Sequence, residues 1–598
     1  MKLTITKSGS IYIQKSVRSG KKVTSRTVKK LGRIQDLMKE MNMTEDEVRS
    51  WAKEQKKILE EQEATDQKSL SVTVPVTQIP DNTYPLVDTG YLFLQKVCSA
   101  LRIDQICRII AEGRQFKFDL TTIVETLIYD RILHPSSKKR ALELSRTMIE
   151  PPDFSSHEVY RALSVLASNM DFILKSLYAS SNRVIKRNTD VLYYDCTNYY
   201  FEIEQEKGDL RKYGVSKENR PNPLVQMGLY MDADGIPFSM NINPGNQNEI
   251  RSVDREEVAK IKRDFGVDHF IYCSDSALAP KSLRKTLTGI PLRCDYVVTQ
   301  SIKKMSKARQ DWAIDPDPDQ WWYYWGKNSD GKRQKFRIKF KNIDQSPDNP
   351  NIYFRSRWFR DDKADNGVYF DDRYIVTFSP KYKNYQRKLR EEHIGRAEKK
   401  IKAQGNRPKK RQTDPTRLVK ESYLTEEGEL AENVQREIDE EKIAEEAKYD
   451  GYYCTATSLD WEEGRILGIC ARRFEIETCF REMKTTLEAR PVYLQRDERI
   501  KAHFLICYMA LLVFRILKKL LEEDFTTTEI LDTLRNFRHY DLYGQGYSYA
   551  FHKTEVTDAL TERLGLDFDK TVLSPAKMEK IIRDSKKEKI VAKNLKNE

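Results

Sequence analysis

The sequence predicts a multi-domain α/β chain: a mixed sheet flanked by helices, interrupted by a β-rich insertion, and preceded by a helical domain and a small N-terminal β segment. Three observations predict it. A chain of 598 residues is too long for a single hydrophobic core and should divide into several units. Between residues 86 and 187 the apolar residues recur at helical spacing, whereas from 191 the chain turns to dense β-branched and aromatic runs. A second helical core pattern then resumes from residue 465 to about 520, after a long intervening stretch.

Residues 1–85 read as a β-meander, a helix and a linker. Residues 1–33 alternate polar and apolar around the SGS and RSGKK turns. Residues 34–65 look helical, and Thr44-Glu45-Asp46-Glu47 resembles a capping box. Pro75, Pro80 and Pro85 then punctuate a short strand and linker. Residues 86–187 carry three amphipathic stretches separated by HPSSKK and PPDFSS turns. Such a block ahead of a catalytic domain either clamps DNA or serves as a dimerisation or packing module.

Residues 188–300 open the sheet. VLYYDCTNYYFEI reads as a buried strand, NPLVQMGLYMD as a second, and a DADG turn leads to a third, IPFSMNIN, as a hairpin. The helix EIRSVDREEVAKIKRDF feeds a fourth strand, HFIYCSDSAL. Three antiparallel-compatible strands, a helix and a fourth strand are the order of an RNase H-like core. Residues 301–445 interrupt it with an aromatic, Asp-rich opening, β-type runs, a basic stretch over 381–420 and an acidic helical stretch over 421–446. Residues 446–560 complete the core, and 561–598 end in a charged, apolar-poor tail expected to be disordered.

Net charge is +13 and the sequence pI near 9.0, which fits a polyanionic partner, most simply nucleic acid. Nine cysteines include no C-x-x-C pair and no zinc-ligand spacing, so reduced thiols in a cytoplasmic compartment are expected. The first residues contain no apolar signal region. The longest apolar run, Phe504 to Val513, ends at Arg515. It is too short to span a bilayer and reads as a buried core helix, so no membrane partner is expected.

Phosphodiester cutting and transfer need charge balanced at the entering and leaving oxygens, which two carboxylate-held Mg²⁺ ions do well. An aspartate inside a strand as apolar as the one around Asp195 is costly unless solvated in a cleft, paired or metal-bound. Asp275 ends the fourth strand, and in an RNase H-like sheet the first and fourth strands are neighbours. Either aspartate alone could equally cap a turn or join a salt bridge. The third carboxylate is Glu477 on RRFEIETCFREMKTTLE. At about 100° per residue, Arg473, Arg481, Lys484 and Glu488 all fall within about 40° of Glu477. The apolar stripe of Ile476, Cys479, Phe480, Met483 and Leu487 lies beside them. An ordinary amphipathic surface helix has the same stripe; the row of cations around one carboxylate is what suggests metal and phosphate binding.

YYDCTNYYFE, YGVSKENRP, GLYMDADGIPFSMNINPGNQNE, IYCSDSALAP and RRFEIETCFREMKTTLEARPVYLQRDERIKAH together resemble the cut-and-paste DDE transposases of bacterial insertion sequences, in the branch with a Y-x2-R-x3-E-x6-K helix. The resemblance runs from about residue 86 to 520. It implies Asp195, Asp275 and Glu477 as catalytic ligands of two Mg²⁺ or Mn²⁺ ions, and Arg473 and Lys484 as signature cations. Arg481, on the same face, joins them as a DNA-binding candidate. It implies double-stranded DNA as partner, both terminal inverted repeats and target, with a homodimer on paired ends at the bacterial nucleoid. The signature tyrosine position is Cys470 here. Relatives use a tryptophan of the inserted domain to stabilise a flipped base; Trp321, Trp322 and Trp325 are candidates, or else core aromatics. A catalytically inactive DNA-binding derivative and a structure-specific nuclease are the alternative readings.

Overall fold

The computed structural model describes residues 2–6, 9–19, 22–66, 72–74, 76–78, 83–249, 255–315, 321–327, 333–360, 369–402, 414–424 and 430–590. The chain divides into two units, Met1–Thr83 and Tyr84–Glu598.

In the first unit, β1 (Lys2–Ile5), β2 (Ser10–Ser19) and β3 (Lys22–Arg33) form an antiparallel sheet in that order. The helical stretch that follows is two helices, α1 (Ile34–Met41) and α2 (Glu45–Asp66). Asn42 ends α1 in the left-handed region, at φ 50°, and the Thr44 amide and hydroxyl both donate to Glu47, at 2.7 and 2.8 Å. That is half of the expected capping box, and it satisfies a helix-end donor. Ile11, Ile34, Leu37, Val48 and Ala52 form this unit's core.

The second unit begins with β4 (Leu86–Asp88) and six helices: α3 (Tyr91–Ala100), α4 (Ile103–Ala111), α5 (Leu120–Leu133), α6 (Lys138–Leu144), α7 (Ser156–Ser168) and α8 (Met170–Val184). The sheet then starts with β5 (Val191–Tyr200), β6 (Leu224–Met231) and β7 (Pro237–Pro244), followed by α9 (Arg255–Phe265), β8 (Ile271–Ser274), α10 (Lys281–Thr288) and β9 (Asp295–Thr299). The β6–β7 hairpin turns at Gly235, where φ is +80° and a side chain would strain the backbone. Next come α11 (Lys307–Ile314), β10 (Trp321–Lys327), β11 (Arg333–Ile338), β12 (Tyr353–Arg360), β13 (Asp371–Phe378) and α12 (Pro380–Lys402). After β14 (Val419–Leu424), β15 (Leu430–Ile438) and α13 (Glu440–Ala447), strand β16 (Tyr452–Thr457) returns to the sheet. The chain continues through α14 (Glu463–Ala471), α15 (Phe474–Arg481), α16 (Asp497–Leu520) and α17 (Thr527–Asn536). It closes with β17 (Arg538–Asp541), β18 (Tyr547–Tyr549), α18 (Glu555–Leu564), β19 (Val572–Leu573) and α19 (Pro575–Ser585).

This is a mixed α/β unit built on one ten-stranded sheet, ordered β11-β10-β12-β13-β16-β9-β8-β5-β6-β7. β5, β6 and β7 are antiparallel neighbours, and β8 and β9 run parallel to β5. Strands from the 301–445 stretch extend the sheet beyond β9, joined to it antiparallel through β16. Strand alternation splits β5 between two cores: Val191, Tyr193 and Tyr199 pack with the helical side, Leu192, Tyr194 and Cys196 with α9 and α10. α16 is long and apolar enough to cross a membrane by composition, but 94% of its apolar window is buried, as the expected core helix. The tail expected over 561–598 is folded for most of its length: α19 packs Met578 and Ile581 into the core because its apolar residues fall on one face, and only 591–598 lie outside the described residues.

Two local expectations need correction. The acidic stretch expected to be helical over 421–446 is mostly the β14–β15 hairpin, with helix only at Glu440–Ala447. Cross-strand pairing, including Arg436–Glu421 at 2.9 Å, overrides the helix propensity of its glutamates. The long helix carrying Glu477 is broken as well. α15 stops at Arg481 and a π-helical turn, Glu482–Thr486, follows, after which Glu488 takes a φ of +41°. The 100° spacing therefore holds from Arg473 to Arg481 but not at Lys484 or Glu488. Arg131 of α5 caps the break by donating to the Leu487, Glu488 and Ser136 carbonyls.

Candidate active site

The site begins at one register. β5 and β8 pair in parallel with Val191 opposite Ile271 and Tyr193 opposite Cys273, an offset of 271 − 191 = 80. β8 ends at Ser274, and Asp275 follows it as the cap of a short turn, Ser276–Leu278; the same offset carried two residues on would bring it beside Asp195 (275 − 195 = 80), and its charge acts on Asp195. Asp195 shares the odd-numbered face of β5 with Tyr193, the side on which Ile271 and Cys273 also pack. That is the side on which α15 lies, since Ile476, Cys479 and Phe480 join the same core.

The two aspartates are held differently. Asp275 Oδ1 accepts the Ser276 amide and the Thr299 hydroxyl, each at 2.6 Å, and lies 3.3 Å from Arg473 Nη1. Burial pushes its carboxyl up, but the Thr299 hydroxyl, Arg473 and the Ser276 amide together hold it below the ordinary value. Asp195 accepts one hydrogen bond, from the Cys196 amide at 2.8 Å. Burial pushes its pKa up to about 6, against the pull of Lys217, that amide and Arg473, and the Asp275 charge adds to the rise. A carboxylate desolvated beside a second carboxylate is a group poised to take a cation or a proton.

Arg473 links the pair to the helix. Its Nη2 lies 4.0 Å from Glu477 Oε1, one turn on, and the Glu477 side chain is 63% exposed. The structure thus brings together Asp195, Asp275 and Arg473, with Glu477 one ion pair further out. Among the described residues no group of three His, Cys, Asp or Glu is gathered to hold a metal. The donor set is nonetheless all carboxylate oxygen, the hard ligation that Mg²⁺ and Mn²⁺ prefer. Arg473 lies 3.3 Å from Asp275 and 4.0 Å from Glu477, so its guanidinium offsets both carboxylate charges.

The other expected residues are dispersed. Arg481 is exposed and donates to the Thr478 hydroxyl at 3.3 Å. Lys484, displaced by the π turn, pairs with Glu218 at 3.4 Å. Cys470 is half-buried against the Thr455 hydroxyl at 3.7 Å and the Tyr453 hydroxyl at 3.9 Å. Trp321 is fully buried among Phe340, Phe378 and Tyr452, a core aromatic. Trp322 is half-buried, with Lys335 Nζ 4.7 Å from its ring; the Trp325 side chain lies outside the described residues.

Sequence reasoning missed several neighbours. Thr299 and Tyr453 come from β9 and β16, strands with no polar motif to mark them. A cleft of about 620 Å³ beside Asp275 and Arg473 is lined also by Tyr453, Lys303, Arg390 and His393. Lys217 lies in YGVSKENRP, a segment recognisable as distinctive but without a role assignable from spacing.

No protein-family model and no curated protein matches the sequence. Among solved structures, the chain is similar to a piggyBac transposase synaptic complex with hairpin DNA. The likeness covers 86% of this chain and 88% of that one, at 9% identity and a TM-score of 0.34. A TM-score that low carries no argument about this chain.

Proposed function

We propose that the protein is a DDE transposase, cutting DNA at transposon ends and joining them to target DNA. The observation that supports it is the cluster of Asp195, Asp275 and Arg473, with Arg473 3.3 Å from Asp275 and 4.0 Å from Glu477. The strand order β7-β6-β5-β8-β9, in which β6 alone runs opposite to the other four, supports an RNase H-like core. The motif resemblance supports the bacterial insertion-sequence branch.

In this reading Asp195, Asp275 and Glu477 would hold two Mg²⁺ or Mn²⁺ ions. When bound, the ions supply charge balance at the entering and leaving oxygens of in-line attack at phosphorus. The chain's own residues do the rest. Thr299 and the Ser276 amide fix the rotamer of Asp275. Glu477, exposed and paired with Arg473 at 4.0 Å, would have to leave that pairing to join the aspartates. Arg473, once released, turns its guanidinium to a DNA phosphate, the bidentate partner it matches best. Double-stranded DNA is the substrate, bound by a homodimer on paired ends. The free, mostly buried cysteines suit the reducing cytoplasm.

Glu477→Gln tests it: cutting of DNA bearing the element's own ends should vanish while end binding persists. Full cleavage by that variant sinks the assignment. Two observations favour a second reading, a catalytically inactive DNA-binding derivative: Cys470 at the signature position, and Glu477 held outside the aspartate pair. Wild-type protein that binds ends but never cuts in Mn²⁺ would select it. A structure-specific nuclease, the remaining alternative, would cut branched DNA without needing the ends.

A further inference from the structure

On the flank of Asp195 away from Arg473, the loop from Tyr213 to Pro223 folds over the end of β5. It is a built turn. The Asn198 side chain donates to the Val215 carbonyl at 2.7 Å, and Ser216 Oγ accepts the Glu218 and Arg220 amides at 3.2 and 3.1 Å. Asn219 takes a φ of +56°. This geometry aims Glu218 at two cations from the stretch after α15. Lys484 Nζ lies 3.4 Å from Glu218 Oε1, and Arg490 makes a close ion pair with Oε2.

The cations are anchored apart from Glu218. Lys484 lies 5.6 Å from the Tyr199 ring, Arg490 5.5 Å from the Tyr200 ring, and Arg220 4.7 Å from that same ring. Lys217 donates to the Cys196 carbonyl at 2.7 Å, next to Asp195, and pairs with Glu249 at 3.0 Å. Its charge is felt by Asp195 and Lys484 alike. A row of cations thus leads from the candidate carboxylates outward, with the Glu218 carboxylate seated among them. Two oxygens received by an ammonium and a guanidinium is the binding geometry of a phosphodiester.

We propose that Lys484 and Arg490 form a seat for a DNA backbone phosphate, with Lys217 adding charge beside it, and that Glu218 occupies the seat in the DNA-free protein. DNA binds by displacing the Glu218 carboxylate, so the loop acts as a latch on the site. The choice of DNA as the anion rests on the transposase reading; the latch itself rests on the ion pairs.

The test is fluorescence anisotropy of a labelled duplex of arbitrary sequence with the full chain, across a salt series in EDTA. In wild type a phosphate entering the seat must first break the Glu218 ion pairs, and the freed carboxylate recruits a cation. Removing that charge should tighten binding and steepen the salt dependence. Glu218→Gln should bind about tenfold tighter, with a log–log salt slope more negative by about 1. Arg490→Gln should bind several-fold weaker with a slope shallower by about 1. The double variant should bind no tighter than Arg490→Gln alone. Glu218→Gln that binds at or below wild-type affinity with unchanged Tm overturns the latch, and unchanged affinity in Arg490→Gln overturns the seat. Because EDTA stops any cutting, salt-sensitive binding with the predicted shifts in a protein that never cleaves leaves the seat standing and overturns the transposase reading alone.

Discussion

Most buried carboxylates of the long sheet are fully partnered, Asp232 at the end of β6 among them, held by Arg187 at 2.5 Å and by the Asp234 and Ile236 amides at 3.0 and 2.9 Å; half-buried Asp195 is not. Beyond β9, Asp372 accepts from Tyr296 at 2.5 Å and Tyr374 at 3.1 Å and pairs with Arg284 at 3.0 Å. Glu463 receives Arg373 at 2.7 Å, Lys335 at 2.9 Å and the Ser356 hydroxyl at 2.8 Å. In the β5–β8 part, Asp195 has a single amide and feels the like charge of Asp275. A buried charge without its partners is expensive. Asp195 is the thinly partnered carboxylate among these, the condition that a ligand-binding carboxylate would have.

The comparison can be broken by substitution. The largest effect should be on chemistry: Asp275→Asn reduces cutting to background, on the order of 10³-fold or more, while leaving the fold intact by circular dichroism. Next is stability on the satisfied side. Arg373→Met takes one of the two cations from Glu463, leaving Lys335 and Ser356, and should cost about 1–3 kcal/mol in urea unfolding.

On the poor side the sign reverses. Asp195 has its pKa raised to about 6 against about 3.9 when unfolded, so the folded state holds the extra proton between those values. Stability then falls as pH rises through that window, by on the order of 3 kcal/mol, and the penalty is absent below it. Asp195→Asn removes the penalty. It should be more stable than wild type at pH 7 and indistinguishable from it near pH 3.5, as Tm measured across pH would show.

The smallest effect sharpens the contrast within the site. Asp275 is held below its ordinary value, so its contribution is present at neutral pH and lost as pH falls through the carboxylate range. Thr299→Val should cost about 1 kcal/mol at pH 7 and less at low pH, where Asp275 is protonated. A constant cost across pH would mean that the hydroxyl serves packing alone.

Much of this arrangement was legible in the residues. An aspartate in VLYYDCTNYY and another ending IYCSD stand out because their strands are otherwise apolar, and strand order suggests that they meet. The turn from Arg473 to Glu477 was readable because local helical geometry decides it. What escaped was set by tertiary packing. The π turn at Glu482–Thr486 and the Arg131 cap redirect Lys484 toward Glu218, and no local rule announces either. The β14–β15 hairpin hid behind glutamate-rich composition. Thr299 and Tyr453 reach the site from strands placed there only by long-range pairing.

The most direct measurement is cleavage of DNA carrying the element's own ends in Mg²⁺ or Mn²⁺, comparing wild type with Asp195→Ala. The predicted result is metal-dependent cutting at the end boundary in wild type and none in the variant. Equal cutting by both, or cutting by wild type that persists in EDTA, would contradict the assignment of Asp195 as a metal ligand.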